Sequence, residues 1–277
     1  MRARIVFSHG NSFPGGTYRL MLDNLRQRGF EVQAIDRFGH DPKYPVTNNW
    51  PHLVEQLADQ ARAWQQQASQ AAEPGESLPP AFLVGHSLGG ILSLMCAARH
   101  PELARGVVLL DSPILGGWRA TTLGLFKHTQ LVGALSPGRI SRKRRDHWPD
   151  RAAVLAHFQH KKAFARWDPQ ALADYVDHGT VEHEGQHRLR FDRDIETAIY
   201  NTLPDNVAGL LRRHPLKCPV AFIGGIHSVE MRTVGMELTQ RLTKGRLTML
   251  DGSHLFPMEK PLAAAAAIEA SLRNLGV

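Results

Sequence analysis

The chain has 277 residues, with 33 Lys and Arg against 26 Asp and Glu, for a formal net charge of +7. A hydrophobic fraction of 43% beside 21% charged residues can bury a sizeable core, which excludes a disordered tail or a fibrous protein. No apolar run approaches the roughly 20 residues a bilayer span needs, and the N-terminus lacks the order of a signal peptide, so a cytoplasmic chain is expected. Cys96 and Cys218 share no metal or redox spacing and suit a reducing compartment.

In chain order, residues 3–8 form a β-rich run ending at His9-Gly10, and 18–28 carry helical apolar spacing up to Gly29, a candidate C-cap. A second strand over 30–35 leads into Asp36-Arg37-Phe38-Gly39-His40, and 50–70 reads as a long amphipathic helix. A polar linker over 71–80 precedes a third strand, 81–84, and a helix over 91–99. A fourth strand, 107–110, ends at Asp111-Ser112-Pro113. The rhythm resumes with a strand at 220–223, a helix over 229–242, a strand at 247–250 and an alanine-rich helix over 261–275. This alternation predicts an α/β fold with a mostly parallel sheet covered on both faces. Residues 1–112 and 217–277 are expected to form the core and 113–216 an inserted helical cap. The cap carries Trp118, Phe126, Trp148, Phe158, Phe164, Trp167, Tyr175 and Tyr200, expected to shape an acyl or ring pocket.

Gly85-His86-Ser87-Leu88-Gly89 matches G-x-S-x-G between a strand and a helix. A Ser on so sharp a turn points its hydroxyl outward and needs small neighbours. Such a hydroxyl requires a base, and its attack on a carbonyl creates an oxyanion that requires donors. Among 15 histidines, His254 follows the last strand and precedes the last helix, where a loop can return over Ser87. His86 should be turned away by the elbow, and His9, His40 and His227 read as orienting or packing groups. The backbone N–H groups of Asn11, after the first strand, and of Leu88 are the expected oxyanion donors.

These motifs, with Gly252-Ser253-His254 through Met258-Glu259-Lys260-Pro261, make the chain resemble a capped serine hydrolase of the α/β-hydrolase superfamily, esterase-, lipase- or thioesterase-like. The resemblance implies the α/β-hydrolase fold with about six strands, the first two edge strands missing, and no cofactor or metal. It implies hydrolysis of an ester or thioester of a small or medium apolar acyl group. Diketone carbon–carbon hydrolysis or lactone opening with the same triad stays open, as does a non-catalytic ligand-binding protein on this scaffold. Where the family commonly carries Gly-x-x-Asp, this chain has Gly225-Ile226-His227-Ser228. Two acids could replace the missing Asp. Asp111, at the end of the fourth strand, is the choice, and Glu230 is the alternative; Ser228 itself reads as an N-cap.

His183-Glu184-Gly185-Gln186-His187 is a literal H-E-x-x-H, but Gly185 breaks its centre and the residues that follow alternate, so a hairpin is expected rather than a zinc helix. The basic cluster Arg139, Arg142, Lys143, Arg144, Arg145 and Arg151 reads mainly as a solvated run. No aromatic residue interleaves it before Trp148, so nucleic acid is excluded as its partner, while an acidic substrate or a membrane surface stays open.

Overall fold

The computed structural model describes residues 2–71, 73, 78–116 and 141–276. Trp118, Phe126 and Arg139 lie outside the described residues. The first half runs β1 (Arg4–Ser8), α1 (Arg19–Gln27), β2 (Glu31–Ala34), α2 (Pro51–Ala71), β3 (Ala81–His86), α3 (Leu88–Arg99) and β4 (Ala104–Leu110). The intervening segment contributes β5 (His147–Trp148), α4 (Arg151–Gln159), α5 (Pro169–Gly179), β6 (Thr180–His183), β7 (Gln186–Leu189), α6 (Arg193–Asn201) and α7 (Val207–Arg213). The chain then returns through β8 (Val220–Gly225), α8 (Val229–Val234), α9 (Glu237–Thr243), β9 (Leu247–Leu250), α10 (Phe256–Glu259) and α11 (Pro261–Asn274).

Six strands form one parallel sheet in the order β2-β1-β3-β4-β8-β9. Because side chains alternate along a strand, each central strand feeds two cores. Ile5, Phe7, Phe82, Val84, Val108, Leu110, Ala221 and Ile223 face one, with Met21, Leu25, Ile268 and Leu272 of α1 and α11. Val6, Leu83, Val107, Leu109, Val220 and Phe222 face the other, with Leu53, Val54 and Leu57 of α2 and Leu92 of α3. Burial on both sides explains why these strands read as continuous apolar runs.

The expected helix over 229–242 is two helices, α8 and α9. Gly235, at φ +84°, ends α8 in a backbone conformation that a side-chain-bearing residue rarely adopts. The H-E-x-x-H stretch is a hairpin. His183 pairs with Gln186 across Glu184 and Gly185, whose φ of +52° and +72° suit a tight primed turn. With β5 these strands form a three-stranded antiparallel sheet, so the insertion is not wholly helical.

Three helices of the insertion, α4, α5 and α6, are capped by the acids that precede them. Asp150 accepts from Ala153 N, Asp168 from Gln170 N with Pro169 in the first turn, and Asp192 from Asp194 N. The insertion shares the core of the sheet: Trp148, Val154, Phe158, Trp167, Leu172 and Tyr175 pack in the cluster that holds Phe7 and Tyr18. Phe158, Phe164, Trp167 and Tyr175 pack tilted or edge-on against one another, and Phe13 from the loop after β1 joins them. The four aromatic residues of the insertion therefore fill the joint between insertion and sheet rather than shaping an open pocket. Among the described residues, no helix is long and apolar enough to cross a membrane.

Candidate active site

Ser87 sits between β3 and α3 at φ +53° and ψ −116°, a strained conformation costing about 1–3 kcal/mol. The turn closes because its neighbours have no side chains. A Cβ on Gly85 would lie 2.2 Å from Gly89 carbonyl atoms, and one on Gly89 would lie 2.0 Å from the Ser8 carbonyl oxygen. The Ser87 N–H donates to Leu110 O at 3.0 Å, so the turn is tied to the end of β4.

Parallel pairing sets what meets this serine. Leu110 of β4 stands opposite Ile223 of β8, so the next residue, Asp111, reaches the loop after β8. Asp111 is fully buried. Its Oδ2 accepts from Gly225 N at 2.7 Å, and its Oδ1 accepts from Ser228 Oγ at 2.6 Å and His254 Nδ1 at 2.9 Å. With the His254 proton on Nδ1, the Nε2 lone pair faces Ser87 Oγ at 3.1 Å. Glu230 is half-exposed, and its Oε2 stands 3.9 Å from His254 Nδ1, beyond hydrogen-bond reach. Ser228 caps α8 by accepting from Met231 N while donating to Asp111.

His86 is buried behind the site within a chain of bonds whose directions are all fixed. His86 Nε2 donates to His254 O at 2.9 Å, so the neutral ring accepts at Nδ1 from the Tyr18 hydroxyl at 2.7 Å, and Tyr18 Oη accepts from the Gly10 N–H at 3.0 Å. Burial and the neighbouring His254 push the His86 pKa down to about 3. His9 is likewise buried. It accepts from Phe38 N and donates to Gly10 O, and burial pushes it down to about 4. Glu259 fixes the other side of the His254 loop by accepting from Ser253 N at 2.9 Å and Ser253 Oγ at 2.6 Å. Sequence pattern does not mark Tyr18, which belongs to no motif, and gives Glu259 a place in a motif without a task.

Asn11 and Leu88 flank the serine from the β1 loop and from α3, and among the described residues neither N–H is paired with a backbone carbonyl. The Asn11 loop is anchored to the insertion: Asn11 Nδ2 donates to Glu196 O, and Ser12 Oγ donates to Glu196 Oε1. Arg144 meets both oxygens of Glu196 at 3.0 and 2.9 Å and donates to Tyr175 Oη. Arg144 is thus an internal anchor rather than part of a solvated run. Arg145 lies over Trp148 and Arg151 pairs with Asp177, while Arg142 and Lys143 are exposed.

Above the serine lies a cavity of about 420 Å³. Phe13, Tyr200, Val229 and Leu255 give it apolar surface, and Lys162, Arg166 and Glu230 give it charge. Of the cap aromatic residues within the described regions, Tyr200 lines it. Asp111, Glu230 and His254 are the one convergence of three or more His, Cys, Asp or Glu side chains among the described residues; His183 and His187 form none.

The profile of the serine aminopeptidase S33 family matches residues 1–186. The chain belongs to this family of α/β hydrolases. Among curated proteins, a Mycobacterium phage D29 protein named for non-heme haloperoxidase activity is 26% identical over 99% of this S33-family chain and 88% of its own length. Rattus norvegicus monoglyceride lipase is 28% identical over 41% of the chain and 36% of the lipase, so that likeness spans about a third of the lipase. The peroxisomal α/β-hydrolase Lpx1 of Saccharomyces cerevisiae superposes with a TM-score of 0.76 at 18% identity, covering 99% of this chain and 77% of Lpx1. The structure of E-2-(acetamidomethylene)succinate hydrolase gives 0.72 at 20% identity, covering 99% and 92%. These two likenesses show that the S33-family chain has the α/β-hydrolase fold.

Proposed function

We propose that the chain is a serine hydrolase that cleaves an ester or thioester of a small or medium apolar acyl group through an acyl-enzyme. The observation that carries this reading is the run of bonds from Asp111 through His254 to Ser87 Oγ at the floor of a 420 Å³ cavity. Ser87 Oγ attacks the substrate carbonyl while His254 Nε2 takes its proton, and the Asp111 carboxylate steadies the imidazolium through Nδ1. The Asn11 and Leu88 N–H groups stabilise the oxyanion. Collapse of the tetrahedral intermediate breaks the bond to the leaving group, which takes the proton from His254. Water then gives a proton to the same nitrogen and attacks the acyl-enzyme, releasing the acid and restoring Ser87.

The lipase relative and the family's hydrolase character support ester cleavage. The test is labelling by a fluorophosphonate probe, followed by a panel of esters, thioesters, lactones and aminoacyl anilides of varied acyl length. The expected result is labelling and ester turnover by the natural chain and neither by Ser87→Ala. A natural chain that takes no label and turns over nothing would make it a binding protein.

A further inference from the structure

Charge around the cavity is divided between two walls. Lys162 and Arg166 line one, from the turn between α4 and α5, with Ala163 between them. Glu230 lines another, beside His254. The remaining lining carboxylate, Glu259, is almost wholly buried and committed to Ser253. Lys162 has no ion pair among the described residues, and Arg166 is held only by two long ion pairs: its Nε stands 3.9 Å from Glu259 Oε2 and its Nη2 stands 4.0 Å from Asp251 Oδ1, both beyond hydrogen-bond reach. Residues 117–140 contain no Asp or Glu, so no carboxylate can come from there. The bulk charge lies elsewhere: residues 112–145 hold seven Lys and Arg and no acid, and the rest of the chain, including Lys162 and Arg166, is balanced.

We propose that the substrate carries a carboxylate remote from its scissile carbonyl, held by Lys162 and Arg166. This rests on the serine-hydrolase reading and names the substrate class for the same cavity. The polarity orients such a substrate. Attraction to the Lys162–Arg166 wall and repulsion from Glu230 draw the anion away from His254, while Phe13, Val229 and Leu255 cover the apolar segment between the anion and Ser87.

The experiment compares p-nitrophenyl butyrate with mono-p-nitrophenyl glutarate, which share a leaving group and differ in the terminal carboxylate. The natural chain should favour the glutarate in kcat/KM by roughly tenfold at low salt, and the ratio should contract as ionic strength rises, because the cations are exposed. Lys162→Ala and Arg166→Ala should each lower that ratio by about two- to fivefold, and Lys162→Glu should lower it further. Both positions are on the surface, so the variants should fold. Turnover of the butyrate with a ratio near one, or a ratio unmoved by either alanine variant, overturns this inference alone. No turnover of either ester together with an unlabelled Ser87 overturns the serine-hydrolase reading and this inference with it.

Discussion

Tyr18→Phe removes one oxygen atom and tests the bonds that join the loop after β1 to the His254 loop. Tyr18 is 1% exposed, and its ring packs tilted against Phe7 at a centroid distance of 4.7 Å, a contact a phenylalanine would keep. What is lost is the acceptor for Gly10 N–H and the donor to His86 Nδ1. A buried polar group left unpaired costs about 1–3 kcal/mol, so two cost about 2–6, and local relaxation should bring the loss to about 2–4 kcal/mol. His86 cannot repair this by moving its proton, since an Nε2 lone pair would then face the His254 carbonyl oxygen. At roughly 2–4 °C for each kcal/mol in a chain of this size, Tm should fall by roughly 5–15 °C. Well below that Tm, kcat on a p-nitrophenyl ester should fall roughly tenfold with KM nearly unchanged, because the His254 backbone loses a constraint. Thermal denaturation and steady-state kinetics on the same preparation read both effects. A variant that melts within 2 °C of the natural chain and turns over equally would refute the reasoning.

Asp111→Asn should lower kcat by about 10³–10⁴-fold, as expected when a triad imidazole loses its orienting carboxylate, whereas Glu230→Gln should stay within about threefold; the reverse order would move the acid to Glu230. Acid should unfold the protein through its buried histidines. His9 and His86 are held near 4 and 3 in the fold while the unfolded chain protonates near the ordinary 6.5, so the unfolded state binds more protons and stability falls as pH drops from about 6.5 towards 4. Unfolding free energies from urea titrations at pH 7, 5.5 and 4.5 should decline by an amount on the order of a few kcal/mol for each histidine, and a flat profile would contradict their burial as neutral rings. Gly89→Ala would set a Cβ 2.0 Å from the Ser8 carbonyl oxygen and should cost about 3 kcal/mol or more, while Gly209→Ala, within α7 and with its nearest atom at 3.6 Å, should stabilise by about 0.5–1 kcal/mol. Thermal denaturation of the pair separates backbone crowding from a general intolerance of added methyl groups.

Local pattern was enough to read the sheet strands, the Ser87 turn and the hairpin at Glu184-Gly185 from the chain alone, because each is dictated by neighbours within a few residues. Apolar runs two-sided in burial mark central strands, and glycines mark where a backbone must pass another closely or turn with positive φ. In sequence α8 and α9 read as one helix because apolar spacing continues through Gly235 while the helical backbone does not. Which carboxylate stands against His254 was not legible: Asp111 and Glu230 are separated along the chain by the whole insertion, and the β4–β8 register brings Asp111, rather than Glu230, within 2.9 Å of His254 Nδ1. The basic run shows the same limit. Arg144 looks like its neighbours in sequence, and its burial follows from Glu196 and Tyr175, partners from distant helices. The aromatic residues of the insertion read as pocket walls in sequence because composition records that they must be covered, but not by what; among the described residues, most are covered by one another and by Phe13. Sequence therefore determined the elements and the residue types available for chemistry, since these depend on local sterics and periodicity. Tertiary structure alone decided which charges meet and which face the cavity, because charge pairing depends on distances that only strand register and helix packing set.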